Sequence, residues 1–158
     1  MTASDAPAPG GGSVSALCGS LAAALAEMVG NLTLGRRGCD DAQESIREAL
    51  AELEEIRTIL LKAIDEDSES FNGFMAALKM PKNTEEEKVL RKTAMSQALK
   101  TASLVPLKVA GQSVRIFKFS RLMLERGNKN AATDAMVSAL AARTAAIGAL
   151  LNVRINLR

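Results

Sequence analysis

Histidine, tryptophan and tyrosine are all missing from the 158 residues, and four phenylalanines are the whole aromatic content. Without histidine there is no Ser–His–acid triad, no imidazole general base and no histidine-bound metal, so no metal is expected. The two cysteines, Cys18 and Cys39, have neither the number of a disulfide framework nor a zinc spacing. A reduced, cytoplasmic setting fits them. No alternating Val/Ile/Thr run is bounded by turns, which removes sheet-based folds. The N-terminus lacks a basic leader, and Pro7, Pro9 and Gly10–Gly12 interrupt its apolar stretch, so it does not read as a signal peptide. No uncharged apolar run reads as long enough, and free enough of breakers, to span a bilayer, so no membrane partner is expected. Basic residues are not interleaved with aromatics, so no nucleic-acid partner is expected either.

What is abundant is alanine and leucine, in a chain that is 47% hydrophobic. This is the composition of one tightly packed, all-α domain. Net charge is only +2, but it is unevenly spread. Residues 101–158 carry nine Lys and Arg against two acids, while the first hundred residues are net acidic. A basic half is able to hold an anionic ligand, or it simply packs as a solvated face against an acidic one.

Periodicity and breakers predict about five helices in a single bundle. Residues 1–12 form a Pro- and Gly-rich loop. The first helix then starts at Ser13 as N-cap, with Val14, Leu17, Leu21, Leu25, Met28 and Leu32 as its apolar stripe. A second face of that helix carries Gly19, Ala23, Ala26 and Gly30, small enough for a neighbouring helix to approach closely. The second helix opens at Asp40 or Asp41 and runs to about Met80, with Ile46, Leu50, Leu53, Ile56, Leu60, Ile64, Phe71 and Phe74 on its stripe. Pro81 ends it. Thr84 and Glu87 form a capping-box pattern for a third helix, and Pro106 is expected to kink or restart it as a fourth ending before Gly127. The last helix, from about Asn130 to Leu157, is so apolar that most of its circumference should be buried.

Three features go beyond bundle architecture. The glycine loop Gly10–Gly12 leads into a helix start, where free N–H groups attract anions. It has no G-K-[ST] ending, which argues against a nucleotide. Asp67 falls on the apolar stripe between Ile64 and Phe71, where a carboxylate needs a partner or a task. Asp134, Ser138, Ala141, Ala145, Gly148, Asn152 and Asn156 make a polar and small-residue strip along the last helix, with Asn128 and Asn130 just before it. Each has a plain structural alternative: a disordered leader, a buried ion pair and an interhelical polar network. Taken together they suggest a polar hollow with carboxylates and amides, suited to a cationic or proton-shuttling substrate.

The stretches SDAPAPGGGSVSA at 4–16, DSESFNGFMAALKMPK at 67–82, GNKNAATDAMVSA at 127–139 and GALLNVRINL at 148–157 resemble the formiminotetrahydrofolate cyclodeaminase / methenyltetrahydrofolate cyclohydrolase family. The resemblance covers nearly the whole chain in order. It implies an all-helical homodimer acting on a one-carbon derivative of tetrahydrofolate, with no further cofactor. Such domains either stand alone or form the C-terminal part of a bifunctional formiminotransferase. Members usually carry a further helix before the glycine loop and another after the last segment. Two reactions are implied: closure of 5-formiminotetrahydrofolate with loss of ammonia, or hydrolysis of 5,10-methenyltetrahydrofolate to 10-formyltetrahydrofolate. The alternative is a non-catalytic folate-binding or helical interaction module. On the matching positions, Asp5 and Asp134 are expected as the acid/base and cation-stabilising pair, with Asp67 in support. Pro9, Gly10, Gly11, Gly12, Ser13, Phe71, Asn128, Asn152 and Asn156 are expected to bind substrate. Lys79, Lys82, Arg36 and Arg37 are weaker candidates for the glutamate tail.

Overall fold

A computed structural model describes residues 2, 3 and 5–157, so Ser4 of the glycine-loop motif lies outside the described residues. Four long helices make up the fold: α1 (Gly11–Asn31), α2 (Gln43–Leu78), α3 (Glu85–Arg126) and α4 (Ala132–Asn156), with short 3-10 turns before α2 and α4. Neighbours run antiparallel in a ring, α1 beside α2, α2 beside α3, α3 beside α4 and α4 back beside α1. Positive-φ glycines, Gly35 and Gly38, shape the turn between α1 and α2.

The expected third and fourth helices are one. Pro106 is buried within α3, which continues unbroken to Arg126. A proline has no N–H to give the carbonyl four residues earlier. That carbonyl belongs to Ala102, and the Asn156 Nδ2 donates to it at 2.7 Å. A side chain from α4 therefore supplies the bond that the proline withholds. The start of α3 matches expectation: Glu87 N–H donates to the Thr84 Oγ1, and the Glu87 carboxylate accepts from the Thr84 N–H.

The first helix turns inward the small-residue face expected to admit a neighbour and leaves its apolar stripe outside, and the last helix is less buried than expected. On α1 the small face lies inside, with Ala16, Gly19, Ala22, Ala23, Ala26 and Gly30 buried, while Val14, Leu17, Leu21, Met28 and Leu32 are exposed. On α4 the buried residues are five alanines and Ser138, and Met136, Val137, Leu140, Ile147, Leu150, Leu151 and Ile155 face outward. Close approach explains why small residues take the seams. A Cβ on Gly19 would sit 3.0 Å from both Leu60 and Ser113, and one on Gly148 would overlap the Ser15 hydroxyl. Contact this tight leaves no room for leucine on the seam. α1 also begins earlier than expected, with Gly10 at the N-cap and Ser13 inside the first turn.

The larger side chains of the core come from α2 and α3: Ile46, Leu53, Ile56, Leu60, Ile116 and Met123 are fully buried. Ion pairs lace the outside. Glu27 receives Arg57 at 2.8 Å, and Glu52 receives both Arg115 and Lys118 at 3.0 Å. The hydrogen bonds from Lys118 and Arg115 hold the Glu52 carboxyl below its usual range. Such surface pairs contribute little each.

α1 and the segment 129–156 are both long and apolar enough to cross a membrane by length and composition, although each contains charged residues, among them Glu27 in the first and Asp134 and Arg143 in the second. α1 uses that surface against the other three helices. α4 buries only 28% of its most apolar stretch.

α2 and α3 have 36 and 42 residues, α1 and α4 only 21 and 25. The start of α1 meets α2 at Asp67, and the end of α4 meets α3 at Ala102. Beyond those levels α2 and α3 continue alone as an arm. The shelf where the short pair stops against this arm is the setting of the candidate site.

Candidate active site

At the shelf lies a hollow of about 480 Å³, bounded by Pro7, Ala8 and Gly10–Gly12, by Asp67, Ser70, Phe71 and Phe74 of α2, by Leu99 and Ala102 of α3, and by Asn152, Ile155 and Asn156 of α4. Its size suits a small organic ligand. Four stretches of the chain that are far apart in sequence meet here. A larger groove of about 850 Å³ runs up the arm past Gly73, Ala77 and Ala98. Its walls are mostly apolar, with Glu66, Glu69 and Gln97 among them, and it is not reached by the glycine loop or by α4.

Asp67 is half-buried and held against the first turn of α1. The Ser13 hydroxyl donates to its Oδ2 at 2.8 Å and lies 3.3 Å from the Ser68 hydroxyl. Gly12 is buried beneath it, and a Cβ there would overlap the Asp67 carboxylate. The start of a helix carries free N–H groups and a partial positive charge, so this is where a half-buried carboxylate is tolerated without a cationic partner. Asp67 is the carboxylate that lines the hollow among the described residues. Glycine thus serves here less as an anion cradle for substrate than as the one residue thin enough to let α2 place its carboxylate on α1.

The amides enter from α4. Asn152 Nδ2 donates to its own helix at Gly148 O, 2.8 Å away, and the amide lies against Gly11. Asn156 lines the hollow while its Nδ2 holds the Ala102 carbonyl. An Asn156→Leu variant should therefore lose about 1–3 kcal/mol of stability, because a buried carbonyl freed by Pro106 is left unpaired. Urea denaturation followed by circular dichroism checks this. A double variant that also replaces Pro106 with Ala should lose less than the single one.

The other expected site residues are placed elsewhere within one chain. Asp5 is exposed on the stretch leading into Pro7, and Pro9 is half-buried just before Gly10. Asn128 sits at the opposite end of the bundle. Its backbone N–H donates to Thr33 Oγ1 at 2.9 Å, its Nδ2 donates to Leu32 O and its Oδ1 accepts from Asn130 N–H. Asp134 shares that end, half-buried in the first turn of α4. It lies 18 residues before Asn152, about 27 Å along the helix. One chain therefore does not bring Asp5, Asp67 and Asp134 to a single hollow. Between Asp134 and Asn152 the polar strip is a packing seam: Ser138 donates to Ala22 O at 2.7 Å, and Ala145 and Gly148 lie against Gly19 and Ser15. Arg36 and Arg37 also lie at the Asn128 end.

Pro7, Ala8, Ser70, Phe74, Leu99, Ala102 and Ile155 complete the walls, and of these Phe74 had a signal in the sequence, three residues beyond Phe71 on the α2 stripe. Leu99 also borders a second hollow on the arm, lined by Lys82, Lys88, Arg91 and Lys92.

The formiminotransferase-cyclodeaminase family profile matches residues 1–158. The chain belongs to this family. It is 38% identical over 154 residues to a methenyltetrahydrofolate cyclohydrolase of Methylorubrum extorquens, covering 98% of this chain and 74% of that protein. It is likewise 38% identical over 151 residues to the formimidoyltransferase-cyclodeaminase of Rattus norvegicus. There the match covers 96% of this chain but 28% of the relative, so the chain spans little more than a quarter of that protein. A crystal structure of formiminotetrahydrofolate cyclodeaminase from Thermotoga maritima superposes with a TM-score of 0.86 at 33% identity, over 99% of this chain and 74% of that one.

Proposed function

We propose that this chain is a folate one-carbon enzyme working at the shelf hollow. It either closes 5-formiminotetrahydrofolate to the 5,10-methenyl compound with release of ammonia, or hydrolyses 5,10-methenyltetrahydrofolate to the 10-formyl compound. The observation that carries this reading is the half-buried Asp67 carboxylate, fixed by Ser13 and the start of α1 on the wall of a hollow that also presents the Asn152 and Asn156 amides.

Both reactions pass through a tetrahedral carbon between two nitrogens. In hydrolysis, water adds to the cationic methenyl carbon and gives up a proton to Asp67. The carbon–N5 bond then breaks as N5 takes the proton back from Asp67, while the hydroxyl on that carbon releases its own proton to solvent and becomes the carbonyl of the formyl group left on N10. In cyclodeamination, N10 attacks the formimino carbon carried on N5 and loses its proton. The amino group takes a proton and departs as ammonia, leaving the methenyl cation. In each case one carboxylate balances the amidinium-like charge and moves a proton, with no histidine needed. Phe71 and Phe74 offer the pterin flat apolar surface, and the Asn152 and Asn156 oxygens face its amino groups. The glutamate tail runs past Leu99 toward Lys82, Arg91 and Lys92. The reading carries with it a homodimer, no cofactor beyond the folate itself, and a reducing cytoplasmic setting, which the two free thiols support.

Purified protein given 5-formimino- and 5,10-methenyltetrahydrofolate in separate assays, followed by absorbance and ammonia release, tests the reading. Methenyl absorbance should rise with ammonia in the first case or fall above the spontaneous rate in the second. Saturable binding without turnover would leave a folate-binding module, and no binding at all would leave a helical interaction module.

A further inference from the structure

We infer that Pro106, which is fully buried and not on the wall of the hollow, is a positioning residue for the substrate: through the Ala102 carbonyl it fixes which end of the Asn156 amide the ligand meets. The ligand named here rests on the folate reading of the hollow.

The polar side chains of the wall share a bias. An ionised Asp67 offers oxygens only. The Ser70 hydroxyl donates to the Asp67 backbone carbonyl at 2.8 Å, Asn152 Nδ2 donates to Gly148 O at 2.8 Å, and Asn156 Nδ2 donates to Ala102 O at 2.7 Å. With each nitrogen anchored in the wall, the amide oxygens are the free ends, and among the described residues neither has a partner. A wall of acceptors calls for a ligand edge of donors. In a tetrahydrofolate that edge is the run of ring N–H groups and the exocyclic amine on the pyrimidine, not the ring carbonyl.

The two ends of an amide have nearly the same shape, so such a bias needs something that stops the group turning over. The two asparagines differ in this respect. Gly148 lies inside α4, where its carbonyl takes the helical N–H of residue 152 as well, so the Asn152 bond is an extra one that is easily given up. Ala102 has no such second donor. Its carbonyl would pair with the N–H of residue 106, and proline has none. Ala102 is also buried, which makes solvent a poor substitute. Turning the Asn156 amide over would leave that carbonyl unpaired and set two oxygens against each other. The place of the proline fits this role. Proline is disfavoured throughout the interior of a helix, and this one stands where it frees the carbonyl of the α3 residue that both lines the hollow and accepts from Asn156.

Pro106→Ala tests the inference. It restores the missing N–H, so the Ala102 carbonyl no longer depends on Asn156. The urea midpoint should rise, because alanine suits a helix interior and proline does not. KM for methenyl- or formiminotetrahydrofolate should nevertheless rise about tenfold, the worth of one hydrogen bond to the ligand. The value of kcat should stay within about threefold, because Asp67 stands on α2 and keeps its Ser13 contact. A merely structural proline would move stability and leave KM alone. Asn156→Ala should raise KM by a like factor, and adding Pro106→Ala to it should raise KM no further. Hydrogen exchange of the Asn156 side-chain amide, assigned in heteronuclear spectra by its loss in Asn156→Ala, gives a readout free of folate. It should be slow in the wild type and at least about tenfold faster in Pro106→Ala. An unchanged KM in Pro106→Ala, an equal further rise in the Asn156→Ala background, or an amide as protected in Pro106→Ala as in the wild type would each overturn the positioning role. A wild type with no folate turnover would refute the folate reading itself, whereas an active wild type whose KM ignores Pro106 refutes only the positioning.

Discussion

Asp67→Asn should leave a folded protein with almost no turnover. Asparagine has the size of aspartate, and its amide oxygen still accepts from the Ser13 hydroxyl, so the start of α1 keeps its contact with α2. What disappears is the negative charge and the site for a proton. A positioned acid or base is typically worth about 10²–10⁴-fold in rate. The same charge offsets the amidinium-like cation, so the loss should fall on kcat and on binding of the methenyl compound together. Rates from the absorbance assay, paired with thermal unfolding, check this. A rate within a few-fold of wild type would remove Asp67 from the chemistry, and a collapsed melting curve would mean that the charge serves the fold instead. Asp65, exposed two residues away, is the internal control: Asp65→Asn should change neither quantity.

Asp67 was visible in the sequence because it interrupts a stripe. Counting three and four from Ile64 to Phe71 lands on it, and the structure turns that face toward α1. The Thr84 and Glu87 pair was legible for a similar reason, since a capping box is local chemistry. Other features needed distances that no periodic pattern contains. Asp134 and Asn152 share one azimuth on α4, but azimuth says nothing of axial separation, and they stand at opposite ends of the helix. On α1 the sequence offers two faces, a leucine stripe and a small-residue face, and periodicity alone does not choose between them. In a bundle whose seams are built on Gly19, Gly148 and a run of alanines, the buried face is the one that lets backbones approach, and larger side chains are displaced outward. Pro106 reads as a kink or restart because its neighbours offer nothing to the Ala102 carbonyl. The donor, Asn156, lies 54 residues away from that carbonyl. Each of these gaps has the same source: a local pattern specifies what a helix offers, and only its neighbours specify which offer is taken.

Gly12→Ala should both destabilise the protein and impair turnover, although alanine is the better helix former. Gly12 lies inside α1, where replacing glycine with alanine ordinarily gains about 1 kcal/mol. Here the new methyl would occupy the place of the Asp67 carboxylate. α1 has little freedom to move aside: Ser13, Ser15, Ala16 and Gly19 are buried along the same stretch, and Gly19 is already in close contact with Leu60 and Ala145. Asp67 must then rotate away, losing the Ser13 hydrogen bond, or the first turn of α1 must lift and open the hollow. Overpacking of this kind costs about 1–3 kcal/mol, enough to outweigh the propensity gain. Moving the carboxylate by an ångström or more should lower kcat by at least about 10²-fold, since catalysis depends on placement at that scale. Gly73→Ala supplies the contrast. Gly73 is also helical, and a Cβ there meets nothing within 4 Å, so that variant should gain stability by about the propensity difference. Urea midpoints give the two signs, and the absorbance assay gives the rate. A Gly12→Ala protein that is more stable than wild type and equally active would mean that Asp67 is not held against α1, and the arrangement on which the catalytic reading stands would go with it.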